Sequence, residues 1–187
     1  MNKIVLCVFI LLLTTAVACK SKYDKAADEI LDKLPEGASK NMNAGTLKYD
    51  INVPEGWTTQ HQTLRGVNYF FLRAPKTITD PNTSMNVLSE NMQNLSLEVF
   101  KAKTIESIKQ AIPSATILAE GDISSIGAKG GWFSYTMEPQ GIKASLVCYI
   151  FPKDGTAYII TAGTQLEDAK RYRNTFDAVA KSLRFDE

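Results

Sequence analysis

Histidine occurs once in the 187-residue chain and cysteine three times, and neither is spaced to hold a metal. The lone His61 excludes a histidine-rich metal cluster, and no Cys-x-x-Cys pair exists to build a zinc site. Absent too are the Gly-x-Ser-x-Gly turn of a nucleophile elbow, the phosphate-cradling Gly-x-x-x-x-Gly-Lys and the dinucleotide-binding Gly-x-Gly-x-x-Gly. An excess of one charge is missing as well, since 21 Lys and Arg oppose 20 Asp and Glu. A nucleic-acid partner requires a concentrated positive field, and this balance supplies none. The apolar run at residues 4–13 falls short of the roughly 20 residues of a transmembrane helix and is followed by Thr14 and Thr15.

What is present begins at the amino end. Lys3, the apolar run and the small residues Thr14, Thr15, Ala16, Val17 and Ala18 make the three-part plan of a secretory signal over residues 1–18. Cys19 follows Ala16-Val17-Ala18 directly, where an ordinary cleavage site tolerates almost any residue. The arrangement resembles the lipobox of bacterial lipoproteins, with Ala16 where leucine is commonest. The resemblance implies a diacylglyceryl group on the Cys19 thiol, cleavage before it and acylation of the new amine. Each buried methylene contributes about 0.8 kcal/mol, so two or three chains anchor a protein stably where one does not. The expected partner is therefore a membrane of the bacterial cell envelope, reached through the lipid, with the domain on its periplasmic or outer-surface face. Lys20 stands where an aspartate would signal inner-membrane retention in enteric bacteria, which leans the expectation towards the outer membrane.

Cleavage at Cys19 removes Lys3 and no acid, leaving 20 Lys and Arg against 20 Asp and Glu. Lys20, Lys22 and Lys25 near the anchor are interleaved with Asp24, Asp28 and Glu29, which reads as a solvated tether over residues 19–44 rather than a lipid-headgroup clamp. Within it, Ala27, Ile30, Leu31 and Leu34 form one helical stripe before Pro35-Glu36-Gly37. Lipidation of Cys19 would leave Cys148 without an intramolecular partner, so no disulfide framework is expected, and the apolar neighbours of Cys148 mark it as a small buried hydrophobe.

Residues 45–187 read as one domain. A period of two at Leu47, Tyr49, Ile51 and Val53 predicts a half-buried strand that Pro54-Glu55-Gly56-Trp57 turns. Further strands are expected at 67–73, 84–89, 115–119, 131–137, 142–151 and 157–162. The last three are joined by Glu138-Pro139-Gln140-Gly141 and Pro152-Lys153-Asp154-Gly155, which suit tight reversals in an antiparallel meander. One helix is predicted over 96–111, with Leu97, Phe100, Ile105 and Ile108 aligned and Pro113 beyond its end. A second is predicted to open with a capping box at Thr164-Gln165-Leu166-Glu167 and to carry the stripe Leu166, Ala169, Tyr172, Phe176, Val179 and Leu183.

This order of elements, with Tyr49-Asp50-Ile51-Asn52-Val53-Pro54-Glu55-Gly56-Trp57 at its start and residues 172–185 at its close, resembles the PsbP and DcrB-like fold over roughly residues 45–185. The resemblance implies an α+β domain, a central antiparallel sheet flanked by helices in an α/β/α sandwich. That wider group includes photosystem II extrinsic subunits, envelope lipoproteins and docking proteins, and few enzymes. It therefore implies a non-catalytic binding or docking module with an envelope protein as partner and no cofactor. The photosynthetic role does not carry over, because no motif for it matches here, and a fold alone does not assign function.

Individual residues add weaker signals. His61 and Arg65 lie in the polar stretch 58–66, and Lys76, Asp80 and Asn82 in the stretch 74–84; both read as loops, the places where binding residues concentrate on a rigid scaffold. His61, Arg65, Lys76 and Asp80 are thus the candidate partner-binding residues. The alternative is a hydrolase or metal-dependent enzyme using His61, or using Glu120 and Asp122 across Gly121 as oxygen ligands for a hard cation. Trp57 and Trp132, each near glycine, read first as packing residues and secondly as the floor of a ligand cleft.

Overall fold

The computed structural model describes residues 49–64, 67–77 and 82–185. The signal segment, Cys19, the amphipathic stripe of the tether, Arg65 and Asp80 lie outside the described residues.

Seven antiparallel strands form one sheet in the order β2-β3-β4-β8-β7-β6-β5. They are β2 (Thr58–Leu64), β3 (Val67–Arg73), β4 (Ser84–Asn91), β5 (Thr116–Ser125), β6 (Ala128–Met137), β7 (Ala144–Lys153) and β8 (Thr156–Gln165). Helix α1 (Leu97–Ala111) lies between β4 and β5 in sequence, and α2 (Ala169–Lys181) follows β8. A second, two-stranded ladder pairs β1 (Tyr49–Asp50) with β9 (Arg184–Phe185), so the two motifs that carry the PsbP-like resemblance meet in space.

Strand β7 shows why both faces of the sheet are covered. Its residues are apolar without interruption from Leu146 to Phe151, and successive side chains point to opposite faces. Leu146, Cys148 and Ile150 join Phe100 and Ile108 of α1 in one core, while Val147, Tyr149 and Phe151 join Phe176 and Val179 of α2 in the other. The result is the expected α/β/α sandwich, with α1 over β6 and β7 and α2 over β5, β7 and β8. The expected meander of three strands is present and gains a fourth in β5.

Local chemistry explains several boundaries. Ser96 caps α1, its hydroxyl accepting from the Val99 N–H at 3.3 Å. Asp154-Gly155 closes the β7–β8 hairpin with φ of 50° and 73°, the pair of positive angles that a two-residue primed turn needs.

Three expectations are corrected. The stretch expected to be a polar loop at 58–66 is largely strand β2, paired with β3 from Thr58↔Arg73 to Leu64↔Val67. It is an edge strand whose described side chains are mostly exposed, so no apolar alternation marks it. Of the strand expected over 47–53, the described residues place Tyr49 and Asp50 in a ladder and end it there, and the Asn52 backbone N–H donates to Ser182 Oγ at 2.9 Å. The capping box at Thr164 does not form. Thr164 stays in β8 opposite Ser145, its buried hydroxyl 2.6 Å from that of Thr83, and a 3-10 turn over Leu166–Asp168 intervenes before α2. Cross-strand pairing with a β-branched residue overrides the local capping pattern.

Candidate functional site

Of the residues singled out for a polar docking face, His61 and Lys76 are described, and they occupy separate points of the β2–β3 hairpin. His61 sits midway along β2 with its ring 4.8 Å from that of its cross-strand partner Phe70. Lys76 is exposed beyond the Arg73 end of the β2–β3 hairpin, whereas Leu64 and Val67 form the other end. Those ends are six residue steps apart along β3, about 20 Å.

The alternative pair is separated from His61 by the whole sheet. Glu120 and Asp122 lie on β5 at the opposite edge, six strand spacings or about 29 Å away. Two positions apart on a strand, they share a face rather than opposing each other across Gly121. Glu120 Oε2 receives an ion pair from Lys101 Nζ of α1 at 2.8 Å. Among the described residues no three His, Cys, Asp or Glu side chains are grouped to hold a metal ion. Cys148 is buried in the α1-side core, and burial pushes its thiol pKa up to about 12 against a smaller opposing hydrogen bond with Thr161. Such a thiol offers neither thiolate nor access.

A cleft with convergent polar groups opens on the other face, where the first two turns of α2 overlook β5, β6 and β7. It encloses about 190 Å³. From the sheet, Ser134 of β6 and Ser145 of β7 line it beside Val147; from the helix, Ala169, Lys170, Arg173 and Phe176 do. The spacing of Ala169, Arg173 and Phe176 by four and three residues places them on one face of α2. Leu118 forms the rim. A β-bulge between Ile117 and Ala119 leaves it without a cross-strand partner, and it is 58% exposed.

Arg173 is held directly by two groups, and a third holds one of those. Its guanidinium lies 4.3 Å over the Trp132 ring, and its Nε donates to both carboxylate oxygens of Asp177 at 3.0 Å. Asp177 in turn accepts from the Tyr149 hydroxyl at 2.6 Å. Burial and this hydrogen bond raise the Tyr149 pKa far above the ordinary tyrosine range, so the phenol remains a donor at any physiological pH. Trp132 itself lies flat across β5: a methyl group on Gly121 would come within 3.0 Å of the indole Nε1. Trp57 meets Tyr172 of α2 edge to face at 6.3 Å. Both tryptophans thus brace α2, as the packing reading expected, and Trp132 also stacks beneath a cleft cation.

Sequence reasoning did not single out Ser134, Ser145, Lys170 or Arg173. The i, i+4 spacing of Arg173 and Asp177 was visible as an ion-pair signal on a helix. The serines carried no signal, because their significance depends on which strands become neighbours.

No family model matches the sequence, and no curated protein matches it. Solved structures do share the fold. A Pseudomonas aeruginosa protein of unknown function, PA94, is similar with a TM-score of 0.58 at 13% identity, covering 69% of this chain and 98% of its own. Cyanobacterial PsbP (CyanoP) from Synechocystis sp. PCC 6803 superposes with a TM-score of 0.52 at 12% identity, over 76% of this chain and 95% of that one. LpqN of Mycobacterium tuberculosis, a protein involved in cell envelope biogenesis, gives a TM-score of 0.51 at 11% identity, over 78% and 87%. The architecture of this chain is the PsbP-like α+β fold.

Proposed function

We propose that the chain is a cell-envelope lipoprotein, anchored through Cys19, whose PsbP-like domain binds a ligand or docks a partner without transforming it. The observation that carries the reading is the α2 cleft. Uncommitted polar groups from two strands and a helix converge there, with no side chain that pairs a nucleophile with a base. The anchor is supported by the lipobox-like Ala16-Val17-Ala18-Cys19, and an envelope setting by the fold shared with LpqN. Among the described residues no helix is long and apolar enough to cross a membrane.

The test is expression of the full chain in a bacterial host fed a palmitate analogue, comparing wild type with Cys19→Ala. Wild type should label, process to the shorter form and sediment with membranes; the variant should lose all three. Equal labelling of both would remove the anchor from the proposal. A hydrolytic activity of the purified protein that disappears in His61→Ala would overturn the non-catalytic part.

A further inference from the structure

We propose that the cleft beneath the start of α2 is a binding site for a short-chain monocarboxylate, a ligand class that rests on the binding-module reading above. Charge selects the sign and the valence. Lys170 and Arg173 face the cleft, and Asp177 offsets one of them, so one positive charge remains for the occupant. Asp168, the acid nearest in sequence, is ion-paired with Arg171 at 3.9 Å. A cation would be repelled, and a dianion would carry one charge beyond what the site can neutralise.

Donor supply points to a carboxylate in particular. Among the described residues the Lys170 ammonium and the Ser134 and Ser145 hydroxyls bond no other group, and Arg173 spends only its Nε on Asp177. The two terminal nitrogens of the guanidinium keep their hydrogens, in the planar fork that matches two carboxylate oxygens. The Trp132 stack and the Tyr149–Asp177–Arg173 chain fix that fork in advance, which removes ordering cost from binding.

Size and lining select the rest of the molecule. At about 190 Å³ the cleft is smaller than the ~300–1,000 Å³ of sites for drug-sized ligands, which favours a carboxylate with a short alkyl chain. Val147, Phe176 and the rim residue Leu118 give the alkyl part an apolar wall, and the bulge is what turns Leu118 towards it.

The test uses the intact, detergent-solubilised lipoprotein and amide shift titrations with sodium butyrate, butylammonium chloride and inorganic phosphate at matched ionic strength. Butyrate should shift the Ser134, Ser145 and Lys170 amides saturably, and butylammonium should not. Lys170→Glu changes an exposed side chain without a described partner; it should keep the melting temperature and weaken butyrate at least tenfold. Ser134→Leu, which fills the cleft, should abolish the shifts. Butyrate shifts unchanged by Lys170→Glu, or no saturable shift in wild type, would overturn the proposal. Tighter phosphate binding at the same amides would overturn the carboxylate while leaving a binding module standing. An activity lost in His61→Ala would remove the binding module instead.

Discussion

Three glycines within five residues of the β5–β6 hairpin give the register of the sheet a graded test. At Gly130 a methyl group would collide with the carbonyl oxygen of Ile150 and stand 2.7 Å from Phe151 Cδ1. The first of these is backbone within the β6–β7 ladder and cannot rotate away, so the strands must separate locally. Overpacking of this kind costs about 1–3 kcal/mol or more, and a carbonyl as the clashing atom puts Gly130→Ala at the upper end, about 3 kcal/mol. At Gly127 nothing lies within 4 Å, but φ is +85°, so alanine incurs only the left-handed backbone penalty of about 1–2 kcal/mol. At Gly131 the nearest atom is Lys101 Cδ at 3.5 Å, an ordinary contact, and alanine should be neutral or stabilise by up to about 1 kcal/mol through the unfolded chain. In urea, with a slope near 2 kcal/mol per molar, the Gly130 variant should lose about 1.5 M in midpoint and the Gly127 variant about half of that. A lower midpoint for the Gly131 variant than for the Gly130 variant would refute the β6–β7 register, because a one-residue slip exchanges their faces.

Other perturbations follow from burial. Phe176, 2% exposed and stacked on Tyr172 at 5.9 Å, should cost about 3–5 kcal/mol as alanine; an unchanged melting temperature would show that α2 does not cover this face. Cys148 should react with a thiol reagent only when the protein is unfolded, and rapid stoichiometric labelling of the native protein would contradict its burial. Its thiol pKa is raised from 9.0 to about 12, so the folded state retains a proton that the unfolded chain releases. Stability should therefore hold below pH 9 and fall above it by about 1.4 kcal/mol per pH unit, a loss that Cys148→Ala should reduce. Tyr49, 9% exposed and edge-on to Tyr158 at 5.7 Å, should as alanine release β1, read as faster hydrogen exchange at Phe185; unchanged protection would mean that β9 is held from elsewhere.

Where local pattern and tertiary pairing agree, the elements were legible. The run from Leu146 to Phe151, the Asp154-Gly155 turn and the helix expected over 96–111 each point to the structure observed, and so do the stripe residues Tyr172, Phe176 and Val179. The exceptions share one cause. In β2, Thr58-Thr59-Gln60-His61-Gln62-Thr63 has no apolar face because its edge position leaves these side chains mostly exposed, and β3 supplies the pairing that local sequence cannot announce. In β5, Glu120, Gly121 and Asp122 look like a strand end, yet the pairing with β6 continues to Ser125, and Gly121 is the residue over which Trp132 lies. The cleft was the least legible of all. Its parts come from the middle of β6, the start of β7 and the start of α2, and only the β-order 8-7-6-5 brings them together.

That same order separates the cleft from the point where the chain enters the domain. Tyr49 and Asp50 pair with Arg184 and Phe185 just past the last turn of α2, reinforced by the 2.9 Å Arg184–Asp50 ion pair and by Asn52 donating to Ser182. The cleft sits under the first two turns of the same helix. Twelve residues separate Ala169 from Lys181, about 18 Å at 1.5 Å per residue. With Cys19 lipidated as proposed, the residues 19–48 span at most about 100 Å between the membrane and that entry point. The exposed ion pair, with side chains 47% and 61% accessible, contributes less than about 1 kcal/mol and cannot hold the entry by itself. The buried contacts of Tyr49 and the Ser182 hydroxyl, which also donates to Val179 O at 2.7 Å, must do so, and they tie the entering chain to the end of α2 remote from the cleft.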